Sequence, residues 1–174
     1  MPPLQYSTLP PSLLAICLSE RKGHSKKRIA KGELRERHGL VGDAHAGAWH
    51  RQLSLLALED IELMRSQGFP GLRYGAFAEN LVIGGLDFAP LGIGSRIRIG
   101  STAEIRITQI GKECHTMCAI RAKIGDCIMP RRGLFAAVER DGRIAEGDAI
   151  EVLEAVPPDP AVAIGQSTPE AMRV

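Results

Sequence analysis

Residues 105–118, IRITQIGKECHTMC, join a strand pattern directly to a loop that carries two cysteines and a histidine. Isoleucines alternate with polar residues over 105–108, which predicts a half-buried β-strand with one face in a core. Gly111 then breaks the pattern, so we expect Cys114 to be at least partly accessible. Lys112 and a protonated His115 would favour the thiolate of Cys114, the form that attacks electrophiles and ligates soft metals. The alternative is that Cys114 packs as a small core residue.

The rest of the chain reads mainly as short strands. Apolar or alternating patterns predict strands at 13–18, 52–57 and 149–153, and a hairpin at 96–108. One convincing helix spans 58–67, with acidic residues in its first turn and Gly68 after its end. Residues 134–140, LFAAVER, fit either a strand or a short helix. We expect a single domain over 1–156 and a loose, proline-rich tail over 157–174.

Composition excludes several classes of protein. The chain has 174 residues, a net charge of +2 and 4% aromatic residues, so nothing indicates nucleic-acid binding. No run is long enough to span a membrane and no secretory leader is evident, so we expect a cytosolic location. The basic run at 21–38 is interpreted as a solvated, mobile connection, although some of its cations would suit a phosphate-bearing ligand. In a cytosolic protein, four cysteines favour thiol chemistry or metal binding over disulfides.

Two further polar clusters stand out. Residues 39–51, GLVGDAHAGAWHR, combine three glycines with Asp43, His45, His50 and Arg51, a set that can cup an anionic ligand. The alternative is a glycine-rich turn in which Asp43 hydrogen-bonds to its own backbone. Residues 75–81, GAFAENL, place Glu79 and Asn80 between apolar residues, where an Asn is typically a structural cap or turn anchor.

These clusters together resemble the MOSC domain family, which is related to the C-terminal domain of molybdenum cofactor sulfurase. The resemblance rests on GDAHAG with HRQLSLL, then AENL with GLDFAPLGIGSRIRIG, then the cysteine after the following strand. It covers roughly residues 13–153. GKECHTMCAI followed by GDCIMPRRG is similar to a stand-alone bacterial subgroup. Ala78 departs from the family pattern, which usually has Gly before the Glu and Asn.

The resemblance implies a mainly β fold, a MOSC-type β-barrel with a few short helices. It also implies a role in molybdenum cofactor (molybdopterin) binding or sulfur transfer, with Cys114 as the functional cysteine and as a metal ligand or persulfide carrier. Cys118 is then a resolving partner, a second metal ligand or a buried neighbour. The pterin phosphate needs cationic donors. The candidate cofactor-binding residues are Asp43, His45, His50, Arg51, Glu79, Asn80, Lys112, His115, Arg131 and Arg132.

Other functions remain open at this stage. In a non-catalytic zinc-stabilised module, Cys114, His115, Cys118 and Cys127 would form the site, although this spacing is not that of a familiar zinc knuckle. A molybdenum-dependent reductase of N-hydroxylated compounds is a third possibility. The expected partners are enzymes of molybdenum cofactor biosynthesis or sulfuration, with any pyridoxal phosphate on a separate desulfurase. The sequence does not decide between carrier and enzyme, nor does it indicate the oligomeric state.

Overall fold

The computed structural model describes residues 10–114 and 119–174, which form a mainly β domain. The strands are β1 (Ser12–Leu18), β2 (Lys27–Ile29), β3 (Lys31–Arg35), β4 (Gly39–Leu40), β5 (Leu53–Ala57), β6 (Leu81–Gly84), β7 (Arg96–Ile99), β8 (Ala103–Ile110), β9 (Leu134–Arg140), β10 (Gly142–Ala145) and β11 (Ile150–Glu154). The helices are α1 (Leu58–Ser66), α2 (Ala119–Ile124) and α3 (Met129–Arg132).

A large sheet closes on itself to give the barrel-like body. Its strand order is β11-β7-β8-β9-β5-β6-β1-β2, and β10, β3 and β4 form a second, three-stranded sheet. β5 and β6 pair in parallel, with α1 as the start of the crossover between them. An isolated bridge joins Ser12 to Ala149, and Leu13 N–H donates to the Asp148 carbonyl at 2.9 Å. The start of β1 therefore meets the chain just before β11, which brings the two sides of the sheet together.

Strand alternation divides the apolar residues between two cores. In β5, Leu53 and Leu55 lie in the core inside the barrel, whereas Leu56 packs in a second core with Ile61 and Met64 of α1. Successive strand residues point to opposite faces, so a strand that is buried on both faces serves both cores. This explains why all five residues of β5 are buried.

Most predicted elements are confirmed. Strands occupy 12–18, 53–57 and 150–154, α1 covers nearly all of the predicted helix, and β7 and β8 form the predicted hairpin. Residues 134–140 form a strand. β8 is more buried than its sequence pattern indicates, because Thr108 is fully buried and its hydroxyl donates to the carbonyls of His50 and Phe135. The register of β8 against β9 shifts between Ile107 and Gln109, and this irregularity interrupts the simple alternation.

The interpretation of residues 21–38 as a solvated, mobile connection is wrong in part. Most of the basic side chains there are exposed, but the segment contains β2 and β3, which pair with β1 and β10. Lys26 is buried, with 5% of the residue exposed. The prediction failed because it used local composition alone, and a run of charged residues indicates solvated side chains. The backbone is held by strand pairing with distant segments, which local composition does not reveal.

Residues 157–174 contain no helix or strand, yet they contact the body of the domain. Gly165 N–H donates to the Ile110 carbonyl at 2.8 Å, and the Ser167 hydroxyl donates to the Thr108 carbonyl at 2.5 Å. Ala171 is 1% exposed. The tail therefore lies along the end of β8 that leads to Cys114.

The three helices are short. Within residues 10–114 and 119–174, none of them has the length and apolar character that crossing a bilayer requires.

Candidate functional site

One cavity of about 410 Å³ brings together several of the residues that the sequence nominated. Arg51, His45, Asn80 and Lys112 all line it. Its remaining lining residues are Lys22, Trp49, Ser54, Phe77, Ala78, Met129 and Phe135. We refer to it as the Arg51 cavity. Its volume lies within the range of small-molecule sites, about 300–1,000 Å³.

Arg51 is the central cation of this cavity. Its guanidinium carbon lies 4.8 Å from the centre of the Trp49 ring and 5.7 Å from that of Phe135. Burial lowers the pKa of the Arg51 guanidinium, which nevertheless stays protonated because an arginine does not lose its proton in proteins. Its Nε is buried and has no hydrogen-bond partner among the described residues. A buried charged donor without a partner is costly, so an anionic ligand that accepted a hydrogen bond from Nε would relieve that cost.

Other positive groups surround Arg51. Lys22 and Lys112 also line the cavity, and the Lys22 Nζ lies 5.9 Å from the centre of the Trp49 ring. None of the described lining residues is acidic. Lys112 follows β8 and stands two residues before Cys114, which is partly exposed. The cationic cavity and the candidate thiol therefore share one loop.

Trp49 was not nominated from the sequence, although it is the one tryptophan of an aromatic-poor chain. Its indole N–H donates to the His45 carbonyl at 2.8 Å, which fixes the ring against Arg51. A lone tryptophan directly before His50 and Arg51 is a signal that would have identified it. Lys22 belongs to the basic run at 21–38, some of whose cations were expected to suit a phosphate-bearing ligand, but nothing in the sequence distinguishes it from its exposed neighbours.

Asp43 does not line the cavity but forms a buried ion pair at the start of the loop that does. The Lys26 ammonium donates to the two Asp43 carboxylate oxygens at 2.6 and 2.7 Å, and the side chains are 1% and 0% exposed. Asp43 also accepts the backbone N–H groups of Ser19 and His45. Burial alone would raise the Asp43 pKa, but hydrogen bonds from His45 and Lys26 and the Lys26 charge hold the pKa well below its usual range. Asp43 therefore acts as a buried ionic anchor.

Glu79 and Asn80 bind protein groups. The Glu79 carboxyl accepts the backbone N–H of Gly75 at 2.5 Å and that of Phe77 at 3.0 Å. Asn80 Oδ1 accepts the Ser54 N–H at 3.1 Å, and its side-chain amide donates to the Cys17 carbonyl at 3.1 Å. These bonds are the kind expected of a turn anchor, which is the role that the sequence indicated for Asn80. Asn80 also lines the Arg51 cavity, whereas Glu79 is fully buried behind it.

Ala78, the departure from the family pattern, has a φ of 61°. Left-handed backbone disfavours residues with a Cβ and suits glycine, which explains why Gly would be usual at this position. The glycines at 39, 42 and 47 also have positive φ, as the sequence predicted for the loop before Arg51.

Besides Asp43 and Glu79, the nominated residues His50, Cys114, Arg131 and Arg132 are not among the lining residues of the Arg51 cavity. His50 Nε2 is 2.9 Å from Gln109 Oε1, and its ring packs edge-on against Trp49. Arg131 pairs with Asp126 at 2.8 Å and Arg132 with Asp60 at 2.9 Å. Both arginines line a different cavity beneath the C-terminal tail. His115 and Cys118 lie outside the described residues.

The residues proposed for zinc are only partly described, as Cys114 and Cys127. Cys127 is buried, with 5% of the residue exposed. Elsewhere in residues 10–114 and 119–174, no three His, Cys, Asp or Glu side chains gather in a group that could hold a metal ion. Cys17 is fully buried in β1, and burial raises the pKa of its thiol to about 12.

The fold is thus a closed, mainly antiparallel β domain with a cavity lined by cations, and the partly exposed Cys114 follows the lining residue Lys112 by two positions. The chain belongs to the MOSC domain family, whose model matches residues 42–151. This family is associated generally with molybdenum cofactor binding or sulfuration. No functionally curated protein matches the chain.

Solved structures with the same fold support the assignment. The YuaD protein from Bacillus subtilis is 20% identical with a TM-score of 0.68, and the match covers 80% of this chain and 94% of that one. YiiM from Geobacillus stearothermophilus is 16% identical with a TM-score of 0.64, covering 83% and 76%. YiiM from Escherichia coli is 16% identical with a TM-score of 0.60, covering 88% and 73%. At these identities the likeness concerns the fold.

Removing the Lys26 charge should strongly destabilise the domain. We expect Lys26→Met to lower the free energy of unfolding by about 3–5 kcal/mol, because it leaves the buried Asp43 carboxylate unpaired. The matched control is Lys27→Met at the exposed neighbouring position, which should change the free energy of unfolding by less than about 0.5 kcal/mol. Denaturant titrations of both variants measure the difference. Equal effects of the two changes would contradict the anchoring role of the pair.

Glu79 should make stability decrease as pH rises. Burial raises the pKa of its carboxyl from 4.5 to about 7, although the backbone donors at Gly75 and Phe77 oppose the shift. The folded protein thus retains a proton that the unfolded chain releases, so the free energy of unfolding should fall by about 1 kcal/mol per unit between about pH 5 and pH 7. The Asp43 contribution is constant there, because its folded pKa lies far lower.

Glu79→Gln should flatten this dependence, and the control Glu151→Gln, at an exposed position of β11, should retain it. Burial also raises the Asp60 pKa and adds a slope of the same sign, so the difference between each variant and the parent isolates Glu79. Denaturant titrations across this pH range provide the measurement. An unchanged slope in Glu79→Gln would refute the assignment.

Proposed function

We propose that this domain binds the molybdenum cofactor through its phosphate at the Arg51 cavity and uses the Cys114 thiolate as a molybdenum ligand or as a sulfur carrier. The observation that carries the proposal is the buried Arg51 Nε, which lacks a partner among the described residues in a cavity lined by further cations. The loop from Lys112 to Cys114 connects the cations to the thiol.

The residues of the cavity fit the phosphate end of the cofactor. Arginine presents a planar fork that matches phosphate oxygens, and Lys22 and Lys112 add mobile positive charges. Trp49 and Phe135 add apolar surface to the cavity wall, and Arg51 already lies against both rings. When bound, the cofactor supplies a molybdenum atom held by dithiolene sulfurs. Cys114 would then contribute a soft thiolate ligand.

In the carrier role, Cys114 needs only a sulfur donor. The Cys114 thiolate forms a bond to the terminal sulfur of a donor persulfide, and the donor cysteine leaves as a thiolate. Cys114 then holds the persulfide sulfur until an acceptor takes it. A pyridoxal phosphate-dependent desulfurase is the expected class of donor, and enzymes of cofactor biosynthesis or sulfuration are the expected partners. The partial exposure of Cys114 suits either role.

Replacing the Cys114 thiol should abolish both proposed roles, which are molybdenum ligation and sulfur carriage. We expect Cys114→Ser to lose bound molybdenum after reconstitution with the cofactor, and to lose sulfane sulfur after incubation with a desulfurase and cysteine. Cys17→Ala is the control, because the Cys17 thiol is fully buried with a pKa raised to about 12. Elemental analysis measures the metal and cyanolysis the sulfane sulfur. If Cys114→Ser retained both, Cys114 would have neither role.

Removing the Arg51 charge should weaken phosphate binding without affecting the thiol. Charged hydrogen bonds contribute about 1.5–3 kcal/mol each, so Arg51→Met should lower the affinity for the phosphorylated pterin by about 10- to 100-fold. Arg131→Met is the matched control, because Arg131 lines the other cavity and pairs with Asp126. Equilibrium dialysis with fluorescence of the pterin measures both. A larger loss of affinity in Arg131→Met than in Arg51→Met would contradict the proposal and assign the phosphate site to the cavity beneath the tail.

A further inference from the structure

A second, more open cleft lies on the other side of the loop that borders the Arg51 cavity. Tyr74 and Ala76 line this cleft, whereas Phe77 and Ala78 line the Arg51 cavity. The cleft has a volume of about 1020 Å³. We refer to it as the basic cleft, because its walls carry Lys27, Arg28, Arg65, Arg73 and Lys123, while none of the described residues that line it is acidic. Lys26 also lines it, but its buried ammonium is paired with Asp43.

The cations of the basic cleft differ in how far they are neutralised. Arg28 pairs with Glu146 and Arg65 with Glu62, in both cases with an N–O distance of 2.5 Å. Lys27, Arg73 and Lys123 are exposed, and within residues 10–114 and 119–174 they make no ion pair. These three residues come from β2, the loop after α1, and α2. Their positive charge is therefore available to a ligand.

The size and spread of the cleft indicate an extended anion. It is as large as the largest ordinary small-molecule sites, and its three unpaired cations come from separate segments of the chain. A single phosphate carries a charge of at most about −2, which would not neutralise the three unpaired cations. A chain with several negative charges would reach them together.

The aromatic residues argue against nucleic acid as that chain. Single-stranded nucleic acid is held by bases that stack on open aromatic rings. The guanidinium carbons of Arg28 and Arg65 lie over the Tyr74 ring, 5.4 and 5.3 Å from its centre. Tyr74 is therefore already engaged by protein cations. We propose that the basic cleft docks an acidic segment of a partner protein, which complements its charge.

This docking surface is distinct from the Arg51 cavity, so the inference stands whether or not that cavity holds the cofactor. In the sequence, Lys123 and Ile124 of α2, which line the cleft, follow Cys114 by nine and ten residues. Complementary charge of this kind accelerates association and orients the partner.

The test uses a fluorescent peptide of alternating Asp and Glu, with binding to the full chain followed by fluorescence anisotropy. Charge reversal of the three unpaired cations, Lys27→Glu with Arg73→Glu and Lys123→Glu, should weaken binding by about tenfold or more. The matched control reverses three exposed cations outside the cleft, Lys31→Glu with Arg143→Glu and Arg173→Glu, and should weaken it by about twofold at most. Circular dichroism verifies that both variants fold.

Arg51→Met should bind the peptide as the parent does. Absence of binding by the parent, or an equal loss in the two charge-reversal variants, would overturn the proposal. So would tighter binding of a thymidine oligonucleotide of equal charge that is lost in the cleft variant, because that result would assign the cleft to nucleic acid.

Discussion

The buried ion pair between Lys26 and Asp43 is the constraint on which the rest of the site depends. It joins the basic segment before β2 to the glycine-rich loop before β5, and Asp43 also receives the Ser19 N–H at the end of β1. A buried pair gives little net stability compared with apolar packing, but removing one partner leaves an uncompensated charge. The pair therefore fixes which segments meet. The loop that follows Asp43 then presents His45, Trp49 and Arg51 to one cavity.

Asp43 and Glu79, the two acidic residues among the candidates from the sequence, bind other groups of the protein, and the cavity lining is therefore positively charged. Asp43 neutralises Lys26, and Glu79 accepts two backbone N–H groups. Neither carboxyl lines the cavity, whereas Arg51, Lys22 and Lys112 do. Desolvation at such a site strengthens the attraction for an anion, because fewer water dipoles screen the charge. Within the two motifs, 39–51 and 75–81, Asp43 and Glu79 therefore stabilise the loops, whereas Arg51 lines the cavity.

Local patterns predicted the strands, α1 and the hairpin, because alternation and helical spacing are properties of adjacent residues. They also placed Arg51, His45, Asn80 and Lys112 among the candidates that share a cavity. They did not predict that Lys26 is buried, since its neighbours in sequence are solvated and its partner is 17 residues away. Arg131 and Arg132 were nominated as cationic, fork-shaped phosphate donors, and the structure shows that Asp126 and Asp60 bind them. Long-range pairing decides which of several similar cations is available.

The loop at 74–78 couples the Arg51 cavity to the basic cleft through its backbone. Gly75 has a φ of 87°, and a Cβ there would collide with the Lys26 carbonyl. Lys26 N–H in turn donates to the Gly75 carbonyl at 2.8 Å, and Glu79 holds the Gly75 N–H. The loop is thus held by backbone bonding to Lys26, where no side chain fits at Gly75, and by the Glu79 carboxyl. Tyr74 lines the cleft and Phe77 lines the cavity, so this one rigidly held loop forms part of the wall of both.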